Sequence, residues 1–283
     1  MADQIVLSPT RIKRWVRCRK SYYWRYHQHL VRIYKEVPPS LGLVVGEALA
    51  RYYSYPLGDR NSHLLISNLE NVLKTQAPEF LQQAPNKERQ AKWESVINLS
   101  RKLLNSYHDW ATNKDLFEVL SVEHSYQVEL APNVYLMAIP DTVVSDHAFN
   151  MVLEHKVRYR YRPGDFGIDY QSVGACLVSD SIGTYYNILE YSHLKFYREP
   201  IIRSQEELNY FKNMFIELGR DILNTPSERM YPMPFKRCSC EYWELCNAEI
   251  AGLDMEDIIR ELYRSTVKDK KEHKEHKEEL ESE

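Results

Sequence analysis

Apolar residues return at helical spacing through roughly the first 110 positions and at strand spacing beyond them. Ser8-Pro9 sets an N-cap before a proline at the first helical position. Ile12, Trp15, Val16, Arg19 and Tyr23 then recur at helical spacing, which predicts a first helix over residues 9–29. Residues 41–55, 62–75 and 87–111 read as three more helices, the last with Trp93, Val96, Ile97, Leu103, Leu104 and Tyr107 as its apolar face. The character then changes. Residues 117–130, 134–145 and 149–159 are rich in Val, Tyr, Leu and Ile. They are separated by Ala131-Pro132-Asn133 and Asp146-His147, which predicts three antiparallel strands joined by tight turns. A helix over 170–181, strands over 184–190 and 194–202 and a helix over 204–223 follow, with Ser204 as N-cap and Glu207 completing a capping box. Residues 224–236 hold Pro226, Pro232 and Pro234 and predict an extended connection. After Gly252 the pattern is a short amphipathic helix, then a Lys/Glu tail with His273 and His276 that reads as solvated helix or disorder.

Length and composition narrow the class. At 283 residues one elaborated domain is expected over 1–252: a helical part over 1–112, a catalytic core over 113–224 and a cysteine region over 225–252, with a charged helix or tail over 253–283. Hydrophobic residues make up 43% and charged residues 27%, enough for a buried core and unlike a disordered or fibrous chain. Glycines number 9 and no GxGxxG or Walker-type loop is present, which argues against a glycine loop around phosphates. The longest apolar stretches, 41–45 and 134–139, fall well short of the roughly 18 residues of a membrane span, so no membrane role is expected. The opening Met-Ala-Asp-Gln carries neither a basic nor an apolar leader, so a reducing, cytoplasmic location is expected.

The most informative segment is Ile139-Pro140-Asp141 followed by Leu153-Glu154-His155-Lys156. Side chains alternate across a strand, so Glu154 and Lys156 share a face while His155 points away, and the neighbouring antiparallel strand can bring Asp141 beside them. Two carboxylates at one point suit Mg or Mn. A lysine next to such a cation can orient a water and neutralise charge growing on a phosphate, which together make the parts of phosphodiester hydrolysis. The plain alternative is a surface ion pair. Val143-Val144 and Val152-Leu153 argue against it, because they make both strands apolar and central, where a Glu and a Lys are costly unless paired or metal-bound. Gln171, on the next helix, can face the same site or cap a turn.

Five cysteines cannot all pair. Cys238, Cys240 and Cys246 lie close together, a pattern that usually holds a metal. Cys18 is the candidate fourth ligand, leaving Cys176 between Ala175 and Leu177 as a buried apolar thiol. Four thiolates suit an iron-sulfur cluster or tetrahedral zinc. The formal net charge of -3 hides a local asymmetry: residues 11–35 carry nine Lys or Arg and no acid. Arg11, Arg14, Arg17 and Lys20 there are interleaved with Trp15, Tyr22, Tyr23, Trp24, Tyr26 and Tyr34. Lys156, Arg158, Arg160 and Arg162 form a second basic strip. Cations that attract phosphates beside aromatic faces that stack on bases suit single-stranded or frayed DNA. Part of the aromatic set must instead be core, because a helix buries one side.

Ser8-Pro9-Thr10-Arg11-Ile12 through Cys18-Arg19-Lys20-Ser21-Tyr22-Tyr23, then Leu41-Gly42 to Ala48-Leu49, Asp141, Glu154-His155-Lys156, Gln171 and the cysteine cluster together resemble the PD-(D/E)XK nucleases of the RecB-like branch. In particular they resemble the iron-sulfur exonucleases of CRISPR systems, AddB-type repair nucleases and phages. The resemblance spans about residues 8–248. It implies an α/β restriction-endonuclease-like core with a central mixed sheet flanked by helices. It also implies metal binding by Asp141, Glu154 and the backbone carbonyl of His155, with Lys156 catalytic, Gln171 supporting, and a 4Fe-4S cluster on Cys18, Cys238, Cys240 and Cys246. Three positions depart from the family pattern. Gly46 stands where the family carries a histidine, with Glu47 beside it as a substitute ligand. The cluster reads Cys238-x-Cys240 where Cys-x-x-Cys is usual, and Ala175 lies near the place of a common tyrosine. The activity implied is a Mg- or Mn-dependent DNA exonuclease on single-stranded or end-processed DNA, in repair, recombination or phage DNA metabolism, within a bacterial, archaeal or phage-infected cell. The alternative is a catalytically inactive iron-sulfur or zinc DNA-binding or accessory protein of the same fold.

Overall fold

A computed structural model of the chain describes residues 4–33, 40–82, 87–232, 238 and 240–266. In chain order the elements are β1 (Ile5–Leu7), α1 (Pro9–Arg17), α2 (Arg19–Tyr22), a π-helical turn Tyr23–His27, β2 (Leu30–Arg32), α3 (Leu41–Tyr53), α4 (Ser62–Gln82) and α5 (Lys87–Thr112). There follow β3 (Glu118–Val122), β4 (Tyr126–Ala131), β5 (Val134–Ala138), β6 (Thr142–Asp146), β7 (Phe149–Arg158), α6 (Tyr170–Ser179), β8 (Gly183–Glu190) and β9 (Lys195–Ile202). The last are α7 (Gln205–Asn224), α8 (Trp243–Ile250), α9 (Glu256–Leu262) and β10 (Tyr263–Ser265). The chain divides into two compact units, Met1–Pro9 with Glu36–Gly219 and Thr10–Lys35 with Arg220–Glu283.

Several expected boundaries move, each for a local reason. The helix expected over 9–29 breaks at Cys18, whose backbone is extended and whose Sγ accepts the Ser21 N–H at 3.5 Å, capping α2. The segment expected as one strand over 117–130 divides at Glu123, where φ of 43° turns the chain. The segment expected over 134–145 divides at Ile139-Pro140-Asp141, where proline has no N–H to give a ladder. The three expected strands are therefore five, shared between two sheets. The connection expected over 224–236 contains a 3₁₀ turn, Ser227–Arg229. Residues 233–237 of that connection and the charged tail after 266 lie outside the described residues. Ser204 does cap α7, accepting from the Glu207 N–H at 3.1 Å.

In the first unit the main sheet runs β3-β6-β7-β8-β9, antiparallel except for the parallel pair β7 and β8, whose crossover is α6. β6 and β7 are thus interior strands. One face, carrying Val144, Met151, Leu153 and Leu189, packs on Val44, Leu49, Leu65, Leu69 and Leu104 of α3, α4 and α5. The other face presents Val152 to Ala175 and Cys176 of α6. A second sheet, β1-β5-β4, is completed by the parallel pair of β1 with β5. α6 sits close in: a Cβ on Gly174 would lie 2.9 Å from Pro9 Cγ. This is a mixed α/β architecture with helices flanking a central sheet, as expected. In the second unit β2 pairs with β10, and Trp24, Leu30, Tyr242, Leu245 and Tyr263 make a small core. No helix among the described residues is long and apolar enough to cross a membrane.

A buried polar network ties the helical layer to the sheet. Arg198 on β9 donates to Asp115 at 2.6 Å and to Asn187 at 2.8 Å; Asn187 donates to the Tyr107 hydroxyl at 2.8 Å; Tyr53 donates to Asp115 at 2.8 Å and meets Tyr107 at 2.9 Å. The Asp115 side chain is 1% exposed. Asp115→Ala leaves Arg198 buried without its counter-charge, and the expected loss is about 3–5 kcal/mol, read as a lower midpoint in urea denaturation with unchanged slope.

Candidate active site in an acidic pocket

A pocket of about 550 Å³ in the first unit is lined by Gly42, Gly46 and Glu47 of α3, Glu123, Asp141, β7 from Glu154 to Arg158, and Gln171. Strand alternation sorts β7: Glu154 and Lys156 continue the face of Val152 toward α6, whereas His155 continues the face of Leu153 toward the helical layer. The β6–β7 register pairs Thr142 with Leu153, which puts Asp141 at the entry to the same strand region, and Asp141 Oδ2 accepts the His155 backbone N–H at 2.8 Å. Gln171 reaches in from the first turn of α6, whose N-cap is Asp169. Its Nε2 donates to Glu154 Oε1 at 2.8 Å and its Oε1 accepts from Lys156 Nζ at 3.3 Å. Lys156 Nζ also donates to Glu154 Oε1 at 2.8 Å and lies 3.8 Å from Asp169. Asp141, Glu154, Lys156 and Gln171 are brought together.

The electrostatics of this group are unbalanced. Glu154 is 2% exposed, both donors use Oε1, and Oε2 has no partner among the described residues. Burial, and then the charge of Asp141, push the Glu154 carboxyl up to about 8 against the opposing pull of Lys156. Burial likewise raises Asp141, opposed by the His155 N–H and Lys156. Burial works against the Lys156 ammonium, yet Glu154, Asp169 and Asp141 hold its pKa above the ordinary value, so it stays charged. The His155 imidazole stacks on Tyr53 at 5.2 Å, its nitrogens find no partner among the described residues, and burial with the charges of Arg198 and Lys156 lowers it to about 3. It is a neutral core ring. A buried carboxylate oxygen without a donor, beside a second raised carboxylate, fits a cation.

This imbalance has a sign. A carboxyl raised in the folded state contributes stability that is full below its unfolded pKa and is lost as pH rises through the folded value. The metal-free protein should therefore lose thermal stability between about pH 4.5 and 8. Glu154→Gln should flatten that slope and melt higher than the parent at pH 8 without metal. A melting series over this pH range checks it.

Sequence reasoning missed two acids of the site. Asp169, 3.8 Å from Lys156, is the helix N-cap two positions before Gln171. Glu123 carries no motif and is brought in by a turn. Its backbone N–H donates to the Asp141 carbonyl at 3.0 Å, and burial with the charges of Asp141 and Glu47 raises its carboxyl. Glu47, the expected substitute ligand, lines the pocket but is engaged elsewhere: Arg51 donates to Oε1 at 2.8 Å and Gln76 to Oε2 at 3.1 Å.

The four candidate cluster cysteines all fall in the second unit. Cys238 and Cys240 sulfurs are 3.5 Å apart. Burial first, then the neighbouring Cys238 and Cys246, push Cys240 up to about 12; burial also raises Cys246, helped by Cys18 and Cys238 and opposed by Trp24. Among the described residues, however, no group of three or more His, Cys, Asp or Glu is already arranged to hold a metal ion. Cys176 is buried, with its sulfur 3.5 Å from Thr184 Oγ1.

The basic strips divide. Lys20 is buried and paired with Glu249 at 2.5 Å, Arg14 pairs with Glu241 at 2.9 Å, and Arg11 donates to the Tyr22 hydroxyl at 2.6 Å. Trp15, Tyr22 and Trp24 are core. Tyr34 lies outside the described residues. Arg17 is exposed, as are Arg158 in the pocket lining and Tyr159, Arg160 and Arg162 after it.

Residues 6–247 match the model of the PD-(D/E)XK nuclease superfamily, and the chain belongs to that superfamily. Its nucleases are phosphodiester hydrolases. Two of the solved structures that match the chain serve as examples. One, from Eubacterium rectale and provisionally named an exonuclease, has a TM-score of 0.50 and 11% identity, covering 86% of this chain and 87% of that one. The other, SSO0001, has a TM-score of 0.36 and 11% identity over 87% of this chain and 84% of its own. No curated protein sequence matches the chain.

Proposed function

We propose that the protein is a Mg- or Mn-dependent DNA exonuclease of the RecB-like type that acts on single-stranded or end-processed DNA and carries a 4Fe-4S cluster. The observation that carries the hydrolytic reading is Glu154 Oε2, buried without a donor among the described residues, beside Asp141 and within one bonded group with Lys156 and Gln171. Asp141, Glu154 and the His155 carbonyl would hold the cation. When bound, a divalent cation supplies positive charge against the scissile phosphate and acidifies a water. The chain's own groups do the rest. Lys156, kept charged by its acid neighbours, offers N–H donors to the water or to the phosphate as charge grows. Gln171 holds both Glu154 and Lys156 through the two ends of one amide, so neither can turn without the other.

Arg158 lines the pocket, and Arg160, Arg162 and Tyr159 continue from it along an exposed segment. Cations followed by an exposed ring suit a single strand led away from the site, with phosphates on the arginines and a base on the tyrosine. Cys18, Cys238, Cys240 and Cys246 would hold the cluster, which joins the two sequence segments of the second unit. End-labelled single- and double-stranded DNA incubated with Mg or Mn tests the reading: progressive shortening from one end supports it, and internal cuts alone overturn the exonuclease assignment.

A further inference from the structure

We propose that Glu123 supplies a third carboxylate to the divalent cation of the pocket, beside Asp141 and Glu154; this rests on reading that pocket as a cation site. The backbone fixes its place. Glu123 leaves β3 with φ of 43°, and its N–H bonds the carbonyl of Asp141 at 3.0 Å, so the two acids are adjacent across the end of the β3–β6 pair. Glu123 is among the residues that line the pocket, it is exposed, and its carboxyl makes no side-chain hydrogen bond or ion pair among the described residues; no three acids there are arranged as a metal site beforehand, so the cation itself would draw Glu123 in. The pocket independently asks for a ligand, because Glu154 is one of its lining residues and its buried Oε2 has no donor among the described residues.

α3 offers the only other carboxylate in the lining among the described residues, and it is a poorer candidate. Glu47 would have to give up Arg51 on one oxygen and Gln76 on the other. Gly46 has no side chain, and a Cβ there would meet nothing within 4 Å, so that side of the pocket is open. Hard divalent cations take carboxylate oxygens and keep the rest of their shell as water. An acid that feels Arg51 only at a distance and has no hydrogen-bonded partner to give up among the described residues, held by the backbone next to one ligand, completes such a set at least cost.

Mn(II) binding to the full chain, followed by electron paramagnetic resonance of the free ion, tests this without relying on turnover. Wild type should bind, Asp141→Asn should lose binding, and Glu123→Gln should weaken it by about tenfold or more, with a smaller change for Glu47→Gln. Metal-free melting curves of the variants show that each is folded. If wild type and Asp141→Asn bind alike, the cation site itself is refuted. If Asp141→Asn loses Mn(II) while Glu123→Gln matches wild type, or Glu47→Gln loses more than Glu123→Gln, the cation site stands and the role of Glu123 is overturned.

Discussion

Lys156→Ala should lower metal-dependent cleavage of DNA by about a thousandfold or more while leaving the fold and DNA binding in place. The side chain is tied to Glu154 and Gln171 on an interior strand, so its ammonium sits at one place rather than sampling many. Removing it takes away the charged donor and frees Glu154 Oε1 from one of its two donors. Asp141→Asn and Glu154→Gln should be similarly severe. Pairs of these substitutions should be hardly worse than one, because the groups act as a unit. A double variant whose defect is the product of the single defects would show that they act independently, against the arrangement described.

The second large effect concerns the thiols. Cys18→Ser should lose most of the iron of anaerobically purified protein and lower its melting temperature by several degrees, whereas Cys176→Ser should keep its iron. Cys18 sits at the break between α1 and α2, and the other three thiols come from the far end of the chain, so a cluster would close a very long loop in the unfolded state. Cys176 is packed against Thr184 on the sheet face below α6 and belongs to the other unit. Iron and acid-labile sulfide analysis decides the matter. Stoichiometric zinc without iron, even after anaerobic reconstitution, would replace the cluster with a tetrahedral zinc site.

Much of the candidate site was legible because its geometry follows from period-two alternation. Glu154 and Lys156 on one face, His155 on the other, and Asp141 on the neighbouring antiparallel strand require only that residues 149–159 form a strand, and β7 does so. Gln171 was placed by the helix after it. What escaped the sequence depends on pairing across long separations or on one backbone angle. β1 is three residues long, too short to show a period, and exists because it pairs with β5 at Ile5 and Val134. Glu123 enters the pocket because φ turns positive there, which nothing in its residue type announces. The basic aromatic segment left a choice open for a different reason. Tyr22 and Trp24 read equally as a stacking platform or as core and are core, while the cations beside them, Arg14 and Lys20, find Glu241 and Glu249 more than 200 positions away.

The most direct test of a hydrolytic pocket is wild-type protein, freed of metal and then given Mg or Mn, with end-labelled single-stranded DNA. Cleavage that requires the added metal and vanishes in Lys156→Ala is the expected result. Wild-type protein that binds DNA yet leaves single and double strands uncut with either metal would contradict it, and would mark the chain as a DNA-binding member of the superfamily without catalysis.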